Sequence, residues 1–263
     1  MNRLRAVFDA PGKQLVAYLT CGDPSADASV ELVLAAARAG AGVIELGMPY
    51  SDPSADGPAI QRAMTRALAG GAGPRAALDV ARRVRAAGCE VPIVLFGYYN
   101  PVFVSGVERF CRDAAAAGAD GLLLVDLPVD EAGEILPAVR AAGLELIPLL
   151  APTSPPERMA RVAELDAPFV YYVSLTGVTG AAIGIVTDLP DRVAAVRAAV
   201  GRPVAVGFGI KTPDDARRVA AFADAVVVGT AIVSAIEGAR EPVRAVEELV
   251  SALAAAVAST PRG

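Results

Sequence analysis

The sequence predicts an α/β chain folded as a closed (β/α)8 barrel with a short extra N-terminal helix. Three observations carry that expectation. About eight short apolar segments, each followed by a helical stretch, alternate along 263 residues without a break in composition. The segments read as near-continuous Val, Ile and Leu, which suits strands covered on both faces in a parallel sheet. A small repeat, Ala39-Gly40-Ala41, Ala117-Gly118-Ala119 and Ala142-Gly143-Leu144, stops a helix just before a strand each time. A doubly wound open sheet is the alternative; about eight units in a chain of this length favour the closed TIM barrel. Residues 1–263 are expected to form one domain.

In order, residues 1–13 hold a short amphipathic helix with Leu4, Val7 and Phe8 on one side. Leu15 to Thr20 is a strand that ends at the turn Cys21-Gly22-Asp23-Pro24. Ser25 to Ala39 is a helix closed by Gly40. Val43 to Leu46 is a strand, and Pro58 opens a helix through Leu68. Pro74 to Ala87 is a helix, Pro92 to Phe96 a strand, and 97–101 a loop. Ser105 to Ala117 is a helix, Gly121 to Val125 a strand, and Asp130 to Ala142 a helix. Leu144 to Leu150 is a strand and Pro155 to Leu165 a helix. Phe169 to Val173 is a strand, followed by a longer loop over 174–189 and a helix from Pro190 to Val200. The chain closes with the strand Pro203 to Val206, the helix Pro213 to Phe222, the strand Ala225 to Val228, a short helical segment from Thr230 and a last helix from Glu241 to Ala258.

Composition excludes several classes. With no histidine, a Ser-His-Asp triad, a Cys-His pair and histidine-based zinc sites are excluded, so proton transfer must use carboxylates, tyrosine, lysine or water. The net charge of −5 argues against nucleic acid. Hydrophobic residues make up 54% of the chain, yet no run of the length of a membrane span lacks Gly, Pro or a charge, so no membrane partner is expected. Cys21, Cys89 and Cys111 are odd in number and irregularly spaced, which suits reduced thiols of a cytoplasmic protein. Lys13 and Lys211 fall in loops, so no strand carries a Schiff-base lysine.

The most informative stretch runs from Val43 to Gln61. Glu45 interrupts an apolar strand, where an unpaired carboxylate costs several kcal/mol. The loop after it carries Asp52 and Asp56, so a strand acid faces a loop acid across a pocket mouth. In a barrel, the groups at the carboxyl ends of the strands form the site. They are Thr20 and Asp23, Glu45, Tyr98 to Asn100, Asp126, Ser174 to Gly180, Gly207 to Gly209, and Gly229-Thr230. Three glycine-rich turns in succession at the ends of the late strands suit a phosphate held on backbone N–H groups.

These motifs together resemble the alpha subunit of tryptophan synthase. The resemblance rests on Glu45-Leu46-Gly47-Met48-Pro49-Tyr50-Ser51-Asp52-Pro53 with Ala55-Asp56-Gly57-Pro58 and Gln61. Thr20-Cys21-Gly22-Asp23-Pro24, Tyr99-Asn100-Pro101, Asp126-Leu127-Pro128, Gly177-Val178-Thr179-Gly180 and Gly207-Phe208-Gly209-Ile210 follow in the family's order across nearly the whole chain. The resemblance implies retro-aldol cleavage of indole-3-glycerol phosphate to indole and glyceraldehyde 3-phosphate. It implies Glu45 as general acid and base and Asp56 as the carboxylate that binds the indole N–H. Tyr98 is implied near the glycerol hydroxyls, with Thr179 as a second substrate contact, and Gly180, Gly209, Gly229 and Thr230 around the phosphate. Asp126 is expected to be structural or an interdomain contact. No cofactor or metal is implied. A tryptophan synthase beta subunit is the implied partner, in an alpha2beta2 heterotetramer, through Pro49, Asp52, Pro53, Asn100 and Phe103.

Two departures from the family pattern stand out. Thr230 replaces the usual serine and keeps the hydroxyl. The stretch 181–186 is apolar where the family usually carries an arginine, in a loop expected to act as a lid. A free-standing lyase, a catalytically weak regulatory subunit and another phosphate-sugar enzyme on the same barrel are the competing readings.

Overall fold

A computed structural model describes residues 2–173, 188–207 and 209–260. Among the described residues nine strands run parallel: β1 (Gln14–Thr20), β2 (Val43–Gly47), β3 (Ile93–Gly97), β4 (Gly121–Leu124), β5 (Glu145–Leu146), β6 (Leu149–Leu150), β7 (Val170–Val173), β8 (Val204–Gly207) and β9 (Ala225–Val228). Their order in the sheet is β5-β4-β3-β2-β1-β9-β8-β7-β6. The two ends of that order, β5 and β6, are separated in the chain only by Ile147 and Pro148. The Ile147 N–H donates to the Leu122 carbonyl on one side at 2.8 Å, and the Tyr171 N–H to the Pro148 carbonyl on the other at 3.0 Å. One stretch therefore pairs with both flanks, and the sheet curls shut into the expected barrel. The single strand expected over Leu144 to Leu150 is interrupted because Pro148 has no N–H to give the ladder.

Alternation along each strand sorts the core into two layers. Val16, Tyr18, Val43, Val94, Phe96, Leu123, Ile147, Phe169, Ala205, Ala225 and Val227 point into the barrel. Leu15, Ala17, Leu19, Ile44, Leu46, Ile93, Leu95 and Leu122 point outward against the helices. The N-terminal helix, Arg3–Asp9, plugs the bottom. Its Leu4 and Phe8 are buried, and Phe8 stacks on Phe169 with centroids 4.3 Å apart. The amide of Asn2 donates to the Asp120 carbonyl at 3.0 Å, and Arg5 grips Glu145 at 2.5 and 2.9 Å, so the plug is tied to the starts of β4 and β5.

Two local expectations are revised. Tyr99–Ser105 is a helix rather than a loop, because the Asp126 carboxylate accepts the Tyr99 N–H at 2.7 Å and caps it. Gly106, at φ +81°, then separates it from the helix Val107–Ala116. The helix expected over Asp130 to Ala142 divides into a 3-10 turn, Val129–Glu134, and an α-helix, Leu136–Ala141. Pro137 explains the division: it has no N–H for the Gly133 carbonyl, and its ring crowds that oxygen.

Candidate active site

Ile44 and Leu46 face the helices, so the two-residue period turns Glu45 into the barrel. It sits in register with Tyr18 of β1 and Val94 of β3. Glu45 is 1% exposed, and neither carboxyl oxygen has a hydrogen-bond partner among the described residues. Burial alone pushes its carboxyl up from 4.5 to about 8. At neutral pH such a group carries a proton and is ready to give it.

Asp56 reaches the same end of the barrel from the loop after β2. Gly57 and Pro58 start the helix Pro58–Ala69, which fixes the end of that loop. The Gln61 amide donates to the carbonyls of Asp56 at 2.8 Å and Pro53 at 3.3 Å, and the Asp56 N–H donates to the Pro53 carbonyl at 3.1 Å. The Tyr98 hydroxyl donates to Asp56 Oδ2 at 2.7 Å while accepting the Ala55 N–H at 3.0 Å. The Tyr98 ring stacks on Tyr50 with centroids 4.9 Å apart. Burial raises the Asp56 carboxyl and the Tyr98 hydrogen bond pulls it back. Tyr98, expected at the glycerol hydroxyls, thus has the orientation of Asp56 as its visible task.

Two further tyrosines were not singled out from the sequence. Tyr18 is buried and Tyr171 half-buried, and each extends over a glycine of the neighbouring strand. A Cβ at Gly47 would lie 2.3 Å from the Tyr18 hydroxyl, and one at Gly207 would lie 2.2 Å from the Tyr171 hydroxyl. Burial raises the Tyr18 phenol first, and the charges of Asp56 and then Glu45 raise it further. Burial likewise leads for Tyr171, followed by Glu45, Asp56 and Tyr18. The two acids and two phenols therefore share one electrostatic neighbourhood. The available signal was the pairing of an inward tyrosine with a strand-end glycine on the next strand.

Beyond β1 from β2, the neighbouring strands β9 and β8 deliver the glycine turns. Gly209 has φ +72°, a conformation that favours glycine. Gly229 is the N-cap of the helix Thr230–Gly238, whose first N–H groups have no partner within the helix and suit an anion. Thr230 is exposed. Thr179 and Gly180, the rest of the loop expected as a lid, and Phe208 lie outside the described residues.

The residues expected at the partner contact sit on the loop that carries Asp56 and on the helix Tyr99–Ser105, which follows Tyr98. Asp52 and Asn100 are exposed and Pro53 is half-buried, whereas Pro49 is buried within the chain and shapes the rim from beneath. Phe103 is 63% exposed, and Val104 beside it, overlooked in the sequence, is 76% exposed. Two large apolar side chains thus stand in solvent beside the pocket mouth.

The sequence and the fold both match known proteins. The profile of the tryptophan synthase alpha chain matches residues 5–259. The chain is 52% identical over 247 residues to the tryptophan synthase alpha chain of Geobacter sulfurreducens, spanning 93% of each. It is 47% identical over 249 residues to that of Geotalea daltonii, spanning 94% of each. Its fold is similar to the crystal structure of tryptophan synthase subunit alpha from Legionella pneumophila, with 38% identity, 98% of each chain covered and a TM-score of 0.90. It is also similar to a chain of the tryptophan synthase complex from Pyrococcus furiosus, with 36% identity, 93% of this chain and 99% of that chain covered, and a TM-score of 0.84.

Proposed function

The chain belongs to the tryptophan synthase alpha chain family, and on that premise we propose that it cleaves indole-3-glycerol phosphate to indole and glyceraldehyde 3-phosphate, with Glu45 and Asp56 as its catalytic pair. The observation that carries the assignment is Glu45: a buried carboxyl without a partner among the described residues, raised to about 8, inside the barrel and in the field shared with Asp56.

The chemistry follows from the two environments. Indole leaves poorly as a carbanion, so the ring carbon that bears the side chain must first gain a proton. Glu45, protonated at neutral pH, donates it, and the ring becomes cationic. Asp56, ionised and oriented by Tyr98, accepts the ring N–H in a charge-assisted hydrogen bond and stabilises that cation. The glutamate, now a carboxylate, removes the proton of the adjacent carbinol. The carbon–carbon bond breaks, its electrons neutralise the ring, an aldehyde forms, and Glu45 is protonated again. No cofactor enters this balance. The phosphate end rests on N–H groups around Gly209, Gly229 and Thr230, with Thr179 and Gly180 completing the contacts.

We infer a beta subunit as the partner, in an alpha2beta2 complex, on the face that carries Asp52, Pro53, Asn100 and Phe103. The exposed Phe103 and Val104 at the pocket mouth support that placement. Among the described residues no helix is long and apolar enough to cross a membrane, and all three cysteines are free, which supports a cytoplasmic setting.

The test is indole release from indole-3-glycerol phosphate by the purified chain, with and without a tryptophan synthase beta subunit. A rate that rises sharply with the partner supports the assignment. Absence of indole in both conditions overturns it.

A further inference from the structure

An ionic chain crosses the rim of the barrel outside the catalytic pair. Asp23, in the turn after β1, is 2% exposed. Arg66 clamps it with a two-pronged bond, Nε to Oδ1 at 2.9 Å and Nη2 to Oδ2 at 2.8 Å. The remaining Arg66 nitrogen, Nη1, reaches Glu237 Oε1 at 2.6 Å. Arg62, one helical turn earlier, grips the same carboxylate at 3.0 and 2.8 Å. The Glu237 carboxyl is held down to about 2, first by its hydrogen bond from Arg62, so the cluster stays charged across the working pH range.

The elements that this chain joins give it a meaning beyond stability. Arg62 and Arg66 lie on the helix Pro58–Ala69, which starts two residues after Asp56. Glu237 lies on the helix Thr230–Gly238, which starts at the Gly229-Thr230 turn. Each helix is a rigid continuation of one end of the site, the ring end or the phosphate end. A substrate that carries a ring at one end and a phosphate at the other needs both ends at a fixed separation. Displacement of about 1 Å by a residue remote from the chemistry can cost about 100-fold in rate.

We propose that Arg66 is a positioning residue: anchored on Asp23 and tied to Glu237, it holds the Asp56 loop in register with the phosphate-binding turn at Gly229-Thr230. This rests on the function proposed above. The planar guanidinium is required because its fork serves two carboxylates at once, which a lysine ammonium does not reproduce.

The experiment compares wild type, Arg66→Lys and Glu237→Gln by kcat, KM, thermal midpoint and affinity for inorganic phosphate. Glu237→Gln leaves the Asp23 clamp intact, so it tests the tie between helices even where Arg66→Lys folds poorly. Both variants are expected to lose about 10- to 100-fold in kcat/KM for indole-3-glycerol phosphate well below their thermal midpoints. Inorganic phosphate, which engages one end only, should bind each variant within about twofold of wild type by the same reasoning. Unchanged kcat and KM with only a lowered thermal midpoint would make Arg66 a structural tie and overturn the proposal. Phosphate affinity falling in parallel with kcat/KM would also overturn it, since Glu237 would then build the phosphate site itself. A wild type that releases no indole overturns the proposed function and this coupling together, whereas active wild type with equally active variants overturns the coupling alone.

Discussion

Glu45→Gln separates the energetic burden of the proposed catalytic acid from its chemistry. In the folded chain the Glu45 carboxyl is raised from 4.5 to about 8 by burial. Between those values the folded state holds a proton that the unfolded state has released. Stability from this group is therefore fully present below about 4.5 and is lost as pH rises through about 8. Each pH unit crossed between those two values weakens the fold by about 1.4 kcal/mol, so raising the pH from 5 to 8 should remove roughly 3 to 4 kcal/mol of folding free energy. Glutamine has nearly the same shape and does not titrate. Its own burial penalty is independent of pH, and every other titrating group is shared by the two proteins. The difference between their stability curves therefore reports Glu45 alone.

Urea unfolding of both proteins at pH 5, 6.5 and 8 measures this. With a slope of a few kcal/mol per molar, the wild-type midpoint should fall relative to the variant by about 1 to 2 M across that range. The same variant should lose roughly 100- to 10,000-fold in indole release, the usual contribution of a positioned acid and base. Parallel stability curves for the two proteins would refute the buried, raised carboxyl, even if activity were lost.

Two other outcomes follow from the same geometry. Tyr98→Phe removes the hydrogen bond that pulls the Asp56 carboxyl down, so the Asp56 carboxyl should rise and the acid limb of the pH profile should move to higher pH, since the role proposed for Asp56 needs it ionised. An acid limb that stays in place would show that Tyr98 does not tune Asp56. Gly47→Ala places a Cβ 2.3 Å from the hydroxyl of Tyr18, whose ring is buried edge-on against Phe96 at 5.2 Å. Overpacking of this kind costs about 1–3 kcal/mol, so the thermal midpoint should drop by several degrees and indole release should fall with it; an unchanged midpoint would contradict the close packing of Tyr18 over β2.

The barrel was legible because its rules are local. Continuous apolar strands, Ala-Gly helix ends and prolines at helix starts each act within a few residues, and Glu45 stood out as a charge in an apolar run. What was missed depends on contacts between distant segments. The bond from Tyr98 to Asp56 joins positions 42 apart in the chain, and Arg66 meets Glu237 across 171. No periodicity announces such pairs. Tyr18 and Tyr171 were hidden differently: as strand residues they read as core, and only the neighbouring strand's glycine shows where their hydroxyls go. The interruption at Pro148 and the division at Pro137 were readable from the missing N–H groups, but the apolar pattern outweighed a single proline in each case.

In the proposed mechanism Glu45 and Asp56 divide their labour by the kind of element that carries them. A strand inside a closed barrel is the driest and least adjustable place in the molecule, and a carboxyl there cannot recruit donors. Glu45 therefore stays protonated at neutral pH, as an acid must. Asp56 sits on a loop braced by Gln61 and Tyr98, where a directed donor opposes the effect of burial. Burial raises its carboxyl, and the bond from Tyr98 pulls it back toward the ionised form that the proposed stabiliser of a cation needs. On the proposed mechanism, cleavage needs Asp56 ionised while Glu45 holds its proton, and the fold bears on both conditions through the burial of Glu45 and the bond from Tyr98 to Asp56.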